Sequence, residues 1–247
     1  IREDNMAREI LRVQPATEPI LIAVLIDTSQ ATSNFIRDYR QALPAFLDVV
    51  LGEESGGQNQ VAIIGIGERP TILADYTSDR KKLQAGIDRL FAIPNAGTYL
   101  LDAIMEVGQG LEKRKPERAV MLAITSEGPE LSQRNFQLVL DRLKASHATL
   151  HVIGLGSPSN FDQDRSAVIS MGTKNPGGRL DQLLLPTGLK QRLQDVGKEI
   201  ISQYRVTYAR PDTLIPPEKL EVSARKDGLT ARGIAITPAP RPGVRDR

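Results

Sequence analysis

The side chains in this sequence whose types could act together all end in oxygen. Asp27-Thr28-Ser29 stands in one short segment, Thr98 follows Gly97 in a second, and Ser126-Glu127-Gly128 makes a third. Carboxylates and hydroxyls are hard ligands, a set that suits Mg²⁺, Ca²⁺ or Mn²⁺. Each residue also has a plainer use. Asp and Ser between a strand and a helix commonly cap the helix. Thr98 can cap a helix beginning at Leu100, with Asp102 close to its positive end, and Glu127-Gly128-Pro129 can be an ordinary turn. The joint placement, rather than any one residue, points to a site.

Other chemistries lack their parts. The 247 residues hold no Cys, which excludes a disulfide scaffold, a thiol nucleophile, a zinc ribbon and an iron–sulfur centre. Two histidines exclude a three-His metal centre. His147 and His151 are four apart but straddle a helix end and a strand start, so they do not make a zinc pair. Gly65-Ile66-Gly67 and Gly154-Leu155-Gly156 lack the third glycine of a dinucleotide fingerprint, and there is no G-x-x-x-x-G-K-[ST], G-x-S-x-G or H-E-x-x-H. A phosphatase that uses the Asp after its first strand needs a second Asp at the position of Ser29. With no His or Cys in the oxygen cluster there is no poised base. No catalytic residue and no organic cofactor is expected, and a hydrolase is the least favoured reading.

Lys plus Arg is 32 and Asp plus Glu 30, a net charge of +2 that does not point to nucleic acid despite a pI of 8.9. The longest wholly apolar run, Ile20 to Ile26, is far short of the roughly 20 residues of a membrane span. The chain begins at Ile1, as a processed or trimmed product would, with no signal peptide in view.

Strand-like runs at Ile20–Ile26, Val61–Ile66, Thr71–Tyr76, Ala119–Thr125 and Ala148–Gly154 alternate with helical spacing at Thr32–Leu51, Ser78–Leu90, Leu100–Leu111, Ser132–Ser146 and Leu189–Ile200. Thr32 or Ser33, and Thr77 or Ser78, are the candidate caps. Ser157–Leu185 reads as less regular. This alternation predicts an α/β fold, a doubly wound, mostly parallel sheet with helices on both faces. Ligands in such folds bind beyond the carboxyl ends of the strands, which is where all three oxygen-bearing segments fall. The predicted organisation is a lead-in over 1–18, the α/β domain over 19–203, a small β extension over 204–236 and a disordered Pro- and Arg-rich tail over 237–247. Within the extension Lys226-Asp227-Gly228 predicts a hairpin between Leu220–Ala224 and Leu229–Ile236.

Over about residues 18–203 the sequence resembles the von Willebrand factor A domain and its metal-ion-dependent adhesion site. That family places Asp-x-Ser-x-Ser after the first strand, a Thr in a Gly-Thr-x-Leu loop and an Asp in a Thr/Ser-Asp-Gly turn. Asp27, Ser29 and Thr98 match, and "NAGTYLLDAI" is the most specific stretch. Ala31 stands where the family has its second Ser, and Glu127 where it has Asp. The tail "QYRVTYARP…KLEVSARKDGLTARG" is similar to the β extension of bacterial VWFA-related proteins of the acidobacterial type. The resemblance implies a Rossmann-like fold and an adhesion-type module that binds a protein partner. It implies a cation, Mg²⁺ or Ca²⁺, at Asp27, Ser29, Thr98 and Glu127, with an acidic residue of the partner completing the shell. It also implies an extracytoplasmic location, periplasmic or secreted. The departures at Ala31 and Glu127 imply the alternative, a metal-free scaffold domain of an envelope or secreted assembly.

Overall fold

A computed structural model describes residues 1–157, 162–174, 177–210, 220–224, 226–228 and 230–234. Three short strands come first, β1 (Arg2–Glu3), β2 (Met6–Ala7) and β3 (Ile10–Pro15). The main body follows: β4 (Ile20–Ile26), α1 (Ile36–Val50), β5 (Gln60–Gly65), β6 (Thr71–Thr77), α2 (Arg80–Asp88), α3 (Leu100–Arg114), β7 (Arg118–Ser126), α4 (Phe136–Ala145), β8 (Ala148–Leu155), α5 (Gln163–Lys174), β9 (Arg179–Leu183) and α6 (Leu189–Ile201). Two further strands close the described chain, β10 (Tyr204–Tyr208) and β11 (Leu220–Glu221).

The central sheet has the order β6-β5-β4-β7-β8-β9, parallel except for β6. Its centre is β4, whose alternate residues serve two cores. Ile20, Ile22, Val24 and Ile26 pack with α1, α2 and α6, while Ala23 and Leu25 pack with α3, α4 and α5. A strand clothed by helices on both faces must be apolar throughout, which is why Ile20–Ile26 reads as an unbroken run. The α/β architecture expected from the sequence is therefore present. The chain winds from β4 toward β5 on one side and returns to β7 on the other, so the switch point opens between the carboxyl ends of β4 and β7.

Several local expectations are corrected. The segment 157–185 contains α5 and β9. The sequence hides α5 because it packs through small residues: a Cβ on Gly172 would lie 3.2 Å from Leu143 and Leu150. In β9 polar Arg179 and Asp181 are half-buried while Leu180 is exposed, the reverse of an ordinary alternation. Helix α1 begins at Ile36, after a 3₁₀ turn over Gln30–Thr32. Thr32 Oγ1 donates to the Ser29 carbonyl and caps nothing. Asp79, rather than Thr77 or Ser78, caps α2, and α4 starts at Phe136 behind the cap Asn135.

The lead-in strand β3 pairs antiparallel with β10. Leu220–Glu221 pairs with β1 rather than with a hairpin partner. The chain does turn at Gly228, in the left-handed region at φ 79°, and Gly233 comes back against Val222. Among the described residues these arms form no ladder, and the predicted tail over 237–247 lies outside the described residues.

Candidate functional site at the sheet edge

Strand β4 delivers Asp27 to the switch point, and β7 delivers Thr125, Ser126 and Glu127 beside it. The Asp27 N–H donates to the Ile124 carbonyl at 2.8 Å, so the carboxylate is fixed against the neighbouring strand. Its Oδ1 accepts the Ser29 N–H at 2.9 Å, the local turn that Asp commonly makes after a strand. Its Oδ2 accepts the Ser126 N–H at 3.0 Å, the Ser126 hydroxyl at 2.9 Å and, more weakly, the Thr125 hydroxyl at 3.4 Å. Asp27 thus fastens two strand ends to one another.

Thr98 arrives from the loop before α3. Its N–H donates to Pro129, its carbonyl accepts from Leu131, and its hydroxyl lies a long 3.5 Å from the Ile66 carbonyl. Ile66 in turn donates to Ile26, the residue before Asp27. Thr28 Oγ1 accepts the Gly67 N–H at 2.9 Å, and a Cβ on Gly67 would sit 2.7 Å from that oxygen, so only glycine fits there. The loops after β4, β5 and β7 and before α3 therefore interlock. Among the described residues no hydrogen bond joins the Thr98 hydroxyl to the Asp27 carboxylate; the two are linked through the Ile66 and Ile26 backbone.

Asp27, Ser29 and Thr98 are each 0% exposed. Ser29 Oγ is buried and, among the described residues, has no hydrogen-bond partner. The same is true of the hydroxyl of Tyr39, which burial, then the nearby charges of Asp27 and Asp38, hold protonated well above its ordinary pKa. Glu127 is part-exposed, with its side chain 21% accessible.

Two residues that the motifs do not mark complete the cluster. Arg165, in the first turn of α5, has a side chain only 7% exposed. It donates to the Ser126 carbonyl at 2.7 Å and the Thr125 hydroxyl at 3.0 Å, and lies 3.9 Å from a Glu127 carboxylate oxygen. Its place is fixed by Asp162, whose Oδ1 accepts the Arg165 N–H at 2.7 Å. Asp162, of a type that commonly caps a helix start, is the local signal that could have pointed to α5 and with it this arginine. Glu130 accepts the Leu100 N–H at the start of α3 and the Ser132 N–H. Burial raises its carboxyl above the usual range, opposed by the Ser132 bonds, the Arg165 charge and the Leu100 bond.

The cation implied by the family resemblance is tested by these contacts. The orphaned Ser29 hydroxyl is the kind of atom a cation would satisfy. Against that, Ala31 offers a methyl group where a ligand oxygen is needed, and that methyl lies against Gly128, where an added Cβ would come within 2.9 Å. Asp27 Oδ2 already accepts three donors. A guanidinium, itself a cation, is held against the same turn. Among the described residues no three His, Cys, Asp or Glu side chains are grouped to hold a metal. The residues present do not fit an open octahedral ion site. His151 lies on β8, and among the described residues neither of its ring nitrogens has a hydrogen-bond partner.

Residues 22–129 match the family profile described as von Willebrand factor type A domain. No curated protein sequence matches the chain. Among solved structures, the VWA domain of SpRpn10 superposes with a TM-score of 0.58 at 16% identity, covering 73% of this chain and 97% of that one. The vWF domain of the type V pili tip protein Mfa5 from Porphyromonas gingivalis gives 0.58 at 11% identity, covering 75% and 96%. A von Willebrand factor type A structure from Catenulispora acidiphila gives 0.57 at 15%, covering 74% of this chain and 43% of that one. The stretch 22–129 thus carries the profile of a von Willebrand factor type A domain, and the six-stranded body around it has that domain's fold.

Proposed function

We propose that this protein is a non-enzymatic interaction module that presents the carboxyl edge of its sheet to a protein partner, with no divalent ion between them. The observation that carries the reading is the convergence of Asp27, Thr98, Ser126 and Glu127 on interlocked loops at the switch point, with Arg165 rather than a free ligand position among them. The solved neighbours support it: one is a pilus tip protein, and a role of that kind goes with a location in the periplasm or outside the cell. The β strands after α6 fit the bacterial VWFA-related group, with a degenerate adhesion site. Among the described residues no helix is long and apolar enough to cross a membrane.

Photo-crosslinking side chains installed at Gln30 and Asn95, both exposed on the edge loops, test the docking face. Adducts with one defined protein should form there and not from Lys113, at the opposite end of α3. Adducts from Lys113 alone refute the assignment.

The orphaned Ser29 hydroxyl favours a second reading, in which Ser29 and Thr98 bind Mg²⁺ or Ca²⁺ directly, Asp27 and Glu127 balance its charge, and an acidic residue of the partner completes the shell. Thermal unfolding with Mg²⁺, Ca²⁺ or Mn²⁺ separates the two, because an ion that binds the native state raises stability by RT ln(1 + [L]/Kd). The ion-free reading expects no shift at millimolar ion in the wild type and a gain in the Ala31→Ser/Glu127→Asp variant. A wild-type shift equal to that of the double variant rules it out.

A further inference from the structure

The mismatch between this cluster and a divalent site has a counterpart in one residue. Arg165 comes from α5, an element that contributes none of the motif positions. Its guanidinium is buried against the turn that carries Glu127, donating to Ser126 O and Thr125 Oγ1. Thr125 Oγ1 is itself 3.4 Å from Asp27 Oδ2. One positive group therefore sits beside the Glu127 carboxylate and one hydroxyl away from the Asp27 carboxylate. A guanidinium can do this because its five donors lie in a rigid plane and its charge persists at all relevant pH.

We infer that Arg165 is the resident cation of this edge: it balances Asp27 and Glu127 and ties β7 to α5, in place of a divalent ion. The proposal deepens the ion-free reading and rests on it. Three observations carry it. The arginine is buried where an isolated charge would be strongly disfavoured, and its Nη2 donates to two acceptors on the β7 turn. The only motif position with no oxygen, Ala31, faces that same turn at Gly128. The remaining carboxylate, Glu127, reaches one methylene further than Asp and ends 3.9 Å from the guanidinium. Asp162, which accepts the Arg165 backbone N–H, and Val168, buried in the core, hold the first turn of α5 in place. An edge stabilised in this way keeps its shape when chelators or changing ion levels would empty a metal-dependent one.

Two substitutions test it, read by thermal unfolding and by loss of the free Mn²⁺ signal in electron paramagnetic resonance. The wild type should be indifferent to both EDTA and millimolar Mn²⁺. Arg165→Met keeps the stem and removes the charge; it should lower the midpoint by about 6–12 °C and take up Mn²⁺. Arg165→Lys keeps a charge without the fork; it should lose part of that stability and stay blind to Mn²⁺. If Arg165→Met is too unstable to study, the lysine variant decides: Mn²⁺ uptake there overturns the inference. A wild type that binds Mn²⁺ with Arg165 intact refutes the ion-free reading itself. A wild type blind to Mn²⁺, with Arg165→Met equally blind and equally stable, refutes the role of Arg165 alone.

Discussion

On β8 the imidazole of His151 is 1% exposed, and neither ring nitrogen has a partner among the described residues. Burial lowers its pKa from 6.5 to about 4; Glu199 and Asp181 oppose the shift, and Arg232 and Arg179 assist it. These four groups face it from α6, from β9 and from the segment after Gly228. Near pH 7 the ring is mostly neutral folded or unfolded, so it contributes little to the pH dependence there. Below about 6.5 the unfolded chain takes up a proton that the folded one refuses, and stability falls until the pH reaches about 4. At 1.36 kcal/mol per pKa unit the full loss is roughly 3 kcal/mol, and about 2 kcal/mol of it arises between pH 7 and 5. His151→Leu should remove that increment from urea unfolding curves measured at the two pH values. Curves for wild type and variant that stay parallel would place the acid sensitivity elsewhere. The same logic explains why His151 was readable only as a strand residue: its type invites a chemical role, while its surroundings forbid a charge.

At the scale of elements, ends and junctions decide what local pattern leaves open. Asp79 Oδ1 accepts the N–H groups of Lys81 and Lys82 at 2.9 and 3.4 Å. Asp79→Ala should cost about 1 kcal/mol in denaturant unfolding, and Ser78→Ala less than about 0.5 kcal/mol. Equal costs would return the cap to Ser78. Arg118 at the start of β7 is the larger junction. It donates to Ala16 O, Glu18 O, Ile200 O and Gln203 Oε1, all within 2.9–3.1 Å, joining the lead-in, β7 and α6. Arg118→Met leaves these acceptors without their donor, and a loss of about 3–5 kcal/mol is expected from chemical unfolding; a loss under about 1 kcal/mol would show that water replaces the guanidinium freely. Such junctions join residues distant in sequence, so no local reading finds them. The alternation of strands and amphipathic helices was legible from β4 to β8 because burial on both sheet faces leaves a periodic trace. Helix α5 and strand β9 left none, since one packs through glycine and the other half-buries its charges. Arg165 was hidden for that reason, whereas Asp27, Ser29, Thr98 and Glu127 stood out because each follows or precedes a regular element.

Across the whole molecule, the six-stranded body and the strands around the termini are held by different forces. The body has two apolar cores on the faces of one sheet. The terminal strands form a two-stranded ribbon, β3 with β10, and a three-stranded sheet, β11-β1-β2. Their shared anchor is polar. Glu3, 2% exposed, accepts from Arg8 at 2.9 Å and from the Tyr208 hydroxyl at 2.7 Å, and lies 3.6 Å from Arg210. Burial, then the Glu3 contact, pushes the Tyr208 phenol up to about 12, so it stays a donor across the physiological range. The ribbon meanwhile leaves Leu11, Val13 and Tyr204 largely exposed, with little apolar area to hold it. Removing a buried charge from such a cluster leaves its cationic partners uncompensated, an effect of several kcal/mol that falls on a weakly cored element. Glu3→Ala should therefore open the terminal strands before the body. In hydrogen exchange, amides of residues 1–15 and 204–210 should lose protection, while those of β4, β7 and β8 keep theirs. A uniform loss over all of these strands would mean that the two parts unfold as one unit, with Arg118 rather than Glu3 setting the coupling between them.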